Sequence, residues 1–540
     1  MRTLYEVLRE TAGAHPERPA VIYQGKPLTY EELLSRVDRL AAGLVALGVE
    51  PGDKVGIWMS NVPEWIEAYF AISRAGGIVV PMNTRYKTHE VRYILGNSEA
   101  VAVFLPGEFL GIDFAGMLGE VRGELPRLKE AIVVGPKVPG MRTYQDVLAL
   151  GEERGAREEL ARRAEEISPT QCAFILYTSG TTGEPKGAML SHHNMTENAR
   201  QIMDVLQVTP EDVFLLAVPF FHCFGCVMGI LGAVSRGAAV VPMPVFKAPE
   251  SLELIQRERV SILYGVPTMF VLWLEEYRRA REQGRPYDVS SLRTGIMAGA
   301  PCPVEVMRGT MEELGCNVCI AYGLTEASPV ITMTRFDDPL QKRVETVGKP
   351  LPGVEVKVVD EARRELPPGQ MGELACRGYN VMLGYWKKPE ATRQTIDADG
   401  WLYTGDLAVI EPEGYVRIVG RKKDMIITGG FNVYPAELEE LLYTHPAVQT
   451  VAVVGVPDQV MGEVGMAFII PREGADISPQ EIVDFCARQV AGFKVPRYVV
   501  ITEEFPMTPS GKVQKFKLRE WGERLIREGK VEKLAPSKKS

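Results

Sequence analysis

The sequence predicts an α/β protein with a large N-terminal domain of two layered α/β subdomains plus a small β-barrel, followed by a small α+β C-terminal domain. Three observations carry that prediction. Strand and helix patterns alternate from about residue 28; they resume after a charged segment at 151–170; and beyond about residue 345 the pattern shifts to short strands with frequent Gly and Pro. At 540 residues the chain is also too long for one core.

The elements follow in order. In LTYEELLSRVDRLAAGLVAL (28–47), Thr29 and Glu32 form a capping pair ahead of helical apolar spacing. Gly48 stops that helix, DKVGIWM reads as a strand, PEWIEAYFAISRAG as a helix and GIVVPMN as a strand. GEERGAREELARRAEEISPT (151–170) is a solvated helix and connector. CAFILYT (172–178) is an uninterrupted apolar run suited to a buried strand, with a helix expected from about Ser191. VGKPLPGVEVKVVDEARRELPPGQMGELACRG suggests the small antiparallel barrel, and ELEELLYTHPAVQTVAVVGVPD opens the closing α+β domain. The expected boundaries are 1–420, with subdomains 1–168, 169–345 and 346–420, then 421–424 and 425–540.

Hydrophobic content of 46% and charged content of 24% are those of a globular protein. A net charge of −9 argues against a nucleic-acid partner. The N-terminus MRTLYEVLRE lacks the apolar core of a signal peptide, so a cytoplasmic setting is expected. LLAVPFFHCFGCVMGILGAV (215–234) is long enough to span a bilayer, but Pro219, His222 and the missing positive flanks favour a buried strand and core helix. Peripheral membrane contact and oligomerisation stay open. The pairs Cys223/Cys226 and Cys316/Cys319 have metal-site spacing, yet they sit in apolar runs and read as small buried hydrophobes.

YTSGTTGEPKG (177–187) follows the apolar strand with three glycines, five hydroxyl side chains and one lysine. Glycine lets the backbone turn several N–H groups toward an anion, and Lys186 adds charge. The loop lacks the Gly-Lys-Ser/Thr ending of nucleoside-triphosphatases, so phosphates would be handled by another scheme.

Here the chain resembles the adenylate-forming superfamily of acyl-CoA synthetases, luciferases and peptide-synthetase adenylation domains. YTSGTTGEPKG is similar to its signature, and six more motifs follow in order. They are GAP (299–301), YGLTEAS (322–328), GELACRGYNVMLGYW (372–386), WLYTGDL (401–407), GRKKDMIITGGFNVYPAELE (420–439) and PSGKVQK (509–515). The resemblance implies ATP and coenzyme A as substrates, with Mg2+. Thr178, Ser179, Gly180, Thr181, Thr182, Gly183 and Lys186 would hold the β- and γ-phosphates. Glu326 would ligate magnesium, with Thr178 a second ligand, and Thr325 would touch the α-phosphate. Gly299, Ala300, Pro301 and Tyr322 would frame the adenine, and Gly323 would belong to the same ATP site. Asp406 would accept the ribose hydroxyls, and Arg421 would contact ribose or phosphate. Lys512 would bridge the substrate carboxylate and the α-phosphate.

The resemblance also implies that the C-terminal domain is a mobile lid hinged at Lys423, with Gly429 and Gly430 lining a pantetheine tunnel. Lys494 and Arg497 would meet coenzyme A phosphates or be solvated surface charge. His222, Gly225 and Gly229 lie where relatives build the acyl pocket, although the glycines equally suit helix packing. No Asp or Glu occurs between residues 213 and 249, which disfavours an amino-acid substrate because a buried ammonium needs a partner. A medium- or long-chain fatty acid–CoA ligase is therefore expected. The rivals are an aryl-acid CoA ligase, a carrier-protein acyl-AMP ligase and a non-catalytic ATP- or acyl-binding protein.

Overall fold

The structure is a computed structural model that describes residues 1–163, 166–178, 185–299, 302–429, 431–507 and 513–537. Ser179, Gly180, Thr181, Thr182, Gly183, Ala300, Pro301, Gly430 and Lys512 lie outside the described residues. The chain packs into two compact units, residues 1–356 with 376–402, and residues 357–375 with 403–540. The segments 421–424 and 425–540 both fall inside the second unit.

The first unit is built on two large sheets. One runs Gly384–Tyr385, Lys186–Ser191, Cys172–Thr178, Ile78–Pro81, Lys54–Ile57, Ala100–Pro106, Glu130–Val134, Arg142–Thr143. The other runs Lys349–Pro350, Val330–Met333, Asn317–Gly323, Thr294–Ala298, Ile262–Gly265, Val213–Leu216, Ala239–Pro242, Pro19–Tyr23, Lys26–Thr29. Central strands of both pair in parallel, as continuous apolar strands joined by helical crossovers should.

Helix Tyr30–Ala46, which links an edge strand of the second sheet to a central strand of the first, shows how sequence sets a helix. Thr29 Oγ1 accepts from Glu32 N at 3.2 Å while Glu32 Oε2 accepts from Thr29 N at 2.9 Å, so two terminal N–H groups are satisfied reciprocally. Leu33, Val37, Leu40 and Leu44 then form a fully buried stripe, each contributing about 1.5–3 kcal/mol.

The apolar segment at 215–234 is a buried strand followed by a buried helix, and that helix opens as a π-helical stretch, Phe224–Leu231, before the α-helical Gly232–Arg236. No helix among the described residues is long and apolar enough to cross a membrane. Cys223, Cys226, Cys316 and Cys319 are buried thiols, and burial pushes Cys319 up to about 12.

The strands expected to make a small barrel, most of whose residues fall in the second unit, form a four-stranded sheet ordered Val354–Val359, Met371–Gly378, Leu402–Ile410, Val416–Arg421. Among the described residues its first and last strands do not pair with each other, so the sheet is open. The closing α+β region has a five-stranded sheet centred on the antiparallel pair Val448–Asp458 and Gly462–Pro471. Leu438, Leu442 and Ile482 from its helices pack on that sheet.

Candidate active site

Four neighbouring parallel strands of the nine-stranded sheet end on one side, two of them at motif segments. Val213–Leu216 leads to His222, Ile262–Gly265 to Val266, Thr294–Ala298 to Gly299, and Asn317–Gly323 to Thr325 and Glu326. Ligands of open α/β sheets collect outside such carboxyl ends, so topology gathers residues spread over a hundred positions. Tyr322 is half-buried at the end of its strand, and Thr325 is buried in a short 3₁₀ turn, Thr325–Ala327. Gly323 is required by close approach: a Cβ there would stand 1.8 Å from Pro329 O.

Thr178 and Lys186 face each other across the antiparallel pair Cys172–Thr178 and Lys186–Ser191. Tyr177 Oη donates to Asn97 Oδ1 at 2.7 Å, and Tyr93 Oη donates to Pro185 O at 2.9 Å, anchoring both arms of the hairpin. The next strand, Gly384–Tyr385, pairs with the lysine-bearing strand. Gly384 takes φ +135°, outside the range of other residues, where a Cβ would also meet Thr392 Cγ2 at 2.8 Å.

Tyr385 then joins two predicted site residues. Its Oη donates to Glu326 Oε1 at 2.8 Å, and Lys186 Nζ stands 5.2 Å from its ring centroid. Burial, and then the Glu326 charge, push the Tyr385 phenol well up, so it remains a donor at neutral pH. Sequence reasoning quoted GYW within a motif but gave Tyr385 no role.

Two asparagines on helix His192–Val205 hold these loops and were also missed. Asn198 Nδ2 donates to Val330 O at 2.8 Å and its Oδ1 accepts from Val330 N at 3.1 Å, fixing the chain just after YGLTEAS. Asn194 Nδ2 donates to Tyr379 O at 2.5 Å and Val381 O at 3.2 Å, fixing the chain before GYW. Met382 N donates to Glu326 O at 2.9 Å, tying the two segments together. Their i, i+4 spacing on one helix face was the available signal, though polar residues at that spacing are usually solvated.

On the acyl side, Asn61 accepts from Phe220 N at 2.9 Å and donates to Leu216 O and Val218 O at 3.1 and 2.9 Å. That buried side chain sets the turn leading to His222, whose Nδ1 accepts from Phe224 N at 3.2 Å. Phe224 stacks on Tyr264 with centroids 5.4 Å apart. Of the two readings for Gly225 and Gly229, close packing is what their surroundings show. A Cβ on Gly225 would lie 2.2 Å from Pro219 O, and one on Gly229 2.8 Å from Leu216 Cδ1.

In the second unit, Asp406 and Arg421 are register partners on neighbouring strands, with Arg421 Nε 3.4 Å from Asp406 Oδ1. Lys422 Nζ pairs with Glu373 at 3.1 Å, and Gly405 N donates to the other Glu373 oxygen at 3.1 Å. Desolvation, and then the charge of Arg421, lower the pKa of Lys423. Lys494 Nζ is bound to Glu437 at 2.5 Å, while Arg497 donates to Gly492 O at 3.3 Å. Gly429 takes φ +58° against Met461.

Known proteins are similar to this chain over nearly its whole length. The model of the AMP-binding enzyme family matches residues 8–386, and that of the AMP-binding enzyme C-terminal domain matches residues 437–512. YngI of Bacillus subtilis (strain 168) is 44% identical over 536 residues, covering 96% of each chain. Medium-chain acyl-CoA ligase ACSF2, mitochondrial, of Homo sapiens is 38% identical over 546 residues, covering 97% of this chain and 88% of its own. The crystal structure of ATP-bound MatB from Rhodopseudomonas palustris matches with a TM-score of 0.86 at 33% identity, covering 97% of this chain and 99% of its own.

Proposed function

Because the chain belongs to the AMP-binding enzyme family and is an AMP-forming acid–CoA ligase, we propose that it activates a medium- or long-chain fatty acid. The observation that supports the ATP-handling half of this reading is the grouping of Glu326, Tyr385 and Lys186. A carboxylate is a poor electrophile, since its charge repels nucleophiles. Attack of the acid on the α-phosphate of ATP gives acyl-AMP and pyrophosphate, and the coenzyme A thiol then displaces AMP.

In the first step several anionic oxygens crowd together, and positioned charge is what lowers that barrier. Lys186 supplies an ammonium to the β- and γ-phosphates. Glu326 and Thr178, which offer only oxygen donors, would hold a magnesium ion accompanying ATP, since oxygen ligands suit a hard cation. When bound, the ion offsets the charge of the departing pyrophosphate. Thr325 contacts the α-phosphate, Tyr322, Gly299, Ala300 and Pro301 frame the adenine, and Asp406 with Arg421 binds the ribose. Lys512 places one ammonium between the carboxylate and the α-phosphate, where it reduces the repulsion between two anions.

The C-terminal region 425–540 acts as a lid turning at Lys423, which delivers Lys512 for the first step and the Gly429–Gly430 loop for the second. A cytoplasmic setting, where ATP and coenzyme A are at hand, belongs to the same reading. An apolar acid is supported by the wall of Phe224, Tyr264 and the π-helical stretch, where no carboxylate lies between residues 213 and 249. Each methylene that such a wall buries adds about 0.8 kcal/mol of binding.

The test is pyrophosphate release over a panel of straight-chain, branched, aryl and dicarboxylic acids, with and without coenzyme A. Preference rising with chain length through the medium range is expected. Turnover of aryl acids alone would transfer the assignment to an aryl-acid ligase, and rates at the no-acid blank throughout would remove the ligase reading.

A further inference from the structure

Lys186 opens the strand Lys186–Ser191 and Glu326 lies in the turn Thr325–Ala327 packed beside it; they carry opposite charges, and a direct ion pair would satisfy both. Among the described residues no ion pair joins them; Tyr385 meets each one instead. Its hydroxyl satisfies one carboxylate oxygen of Glu326 with a neutral donor, and its ring face receives the ammonium of Lys186. Neither group is neutralised in this way, so the carboxylate charge stays available to a cation and the ammonium to an anion.

The ring is well fixed. Tyr385 is 8% exposed, and its backbone N–H donates to Thr392 Oγ1 at 2.9 Å. It sits in register with Ala188 on the strand that begins at Lys186. Trp386 completes the anchor, donating its backbone N–H to Gly187 O at 2.8 Å and its indole N–H to Asn97 O at 3.0 Å. The strand that presents Lys186 and the strand that presents Tyr385 therefore move as one edge of the sheet.

We propose that Tyr385 is a positioning residue that keeps Glu326 and Lys186 apart and separately aimed, one at the metal of MgATP and the other at its phosphates. This rests on the reading of Glu326 and Lys186 given above. Replacing the hydroxyl alone removes the donor to Glu326 and leaves the ring under Lys186. Replacing the ring removes both.

Calorimetric titration of the full chain with ATP, in magnesium and in a chelator, separates these effects. The affinity ratio between the two conditions is the gain due to the metal. Tyr385→Phe should cut that ratio by about tenfold, the worth of a hydrogen bond to a charged group, and leave metal-free ATP affinity within about twofold. Tyr385→Leu should lower the metal-free affinity as well. In a Glu326→Gln background, Tyr385→Phe should change the ratio no further.

All titrations are made at a temperature where each variant is folded, so a merely structural role moves both affinities together. A Tyr385→Phe protein that keeps the full metal-dependent gain, or losses that add fully in the double variant, would overturn the proposal. Absence of ATP binding by the parent chain would take down the underlying reading, and this proposal with it.

Discussion

In the first unit, Glu326 meets a buried tyrosine and its loop is tied to helix His192–Val205 by the buried amide of Asn198. In the second, Arg421, Lys422 and Lys494 each rest in an ion pair with a carboxylate at or near the surface, Arg421 with 53% of its side chain exposed. The two arrangements differ in strength and in reversibility. Buried amide bonds to backbone cost several kcal/mol to break because their partners are left unsatisfied. Exposed ion pairs are worth about 0–1 kcal/mol and are weakened by salt. The first unit thus presents groups on fixed elements, as a site that must be preorganised requires. The second holds cations that can exchange one anionic partner for another at little cost.

The largest effect that would test this contrast is on Lys512. Lys512→Ala should lower acyl-AMP formation by about a thousandfold, the scale of losing one preorganised charge contact in a transition state. Conversion of supplied acyl-AMP to thioester should fall far less. Equal loss in both half-reactions, measured by pyrophosphate release and thioester formation, would refute the lid role.

Asn198→Ala probes the buried side. It removes the acceptor for Val330 N–H and leaves Val330 C=O only the 3.5 Å contact from Asn380 Nδ2, and unfolding in urea should show a loss of about 2–3 kcal/mol, with adenylation falling in parallel. A loss below about 1 kcal/mol would show that the helix does not fix the Glu326 loop.

His192 opens the same helix, and its Nδ1 accepts from Leu4 N at 3.3 Å. Burial holds its pKa down at about 4. The unfolded chain takes up a proton below the ordinary value near 6.5, and the folded chain resists it to about 4. Stability is therefore undiminished above that ordinary value and declines as pH falls through the window, by about 3 kcal/mol at its acid end. His192→Gln should flatten the decline in denaturation curves across that range; an unchanged slope would assign the acid sensitivity elsewhere.

The smallest effect belongs to the exposed side. Lys494→Ala should raise KM for coenzyme A about threefold at low ionic strength, and less when salt screens the contact. A large, salt-independent increase would mean that Lys494 is a fixed binding group, and the contrast between the units would narrow.

Much of the molecule was legible in the residues themselves. The capping pair at Thr29 and Glu32, the apolar strand at 172–178 and the charged helix at 154–163 are local features, decided by neighbours in sequence. The motif segments led to the family through resemblance, and the family models matching residues 8–386 and 437–512 bear the family out. Tyr385, Asn61, Asn194 and Asn198 were not legible. Each acts on a residue far away in sequence, Tyr385 on one 59 positions distant and Asn198 on one 132 positions distant, and no local periodicity records such pairings.

By itself, then, the sequence determined the alternation of strands and helices, the apolar character around 215–234 and the residue types available for adenylate chemistry. Periodicity and composition act over a few residues, and that range suffices for those outcomes. Strand order, the open edges of the four-stranded sheet, the close packing against Gly225 and Gly229, and the tyrosine between Glu326 and Lys186 were decided by tertiary structure. They depend on which distant surfaces meet, and only burial of the whole core selects among those pairings.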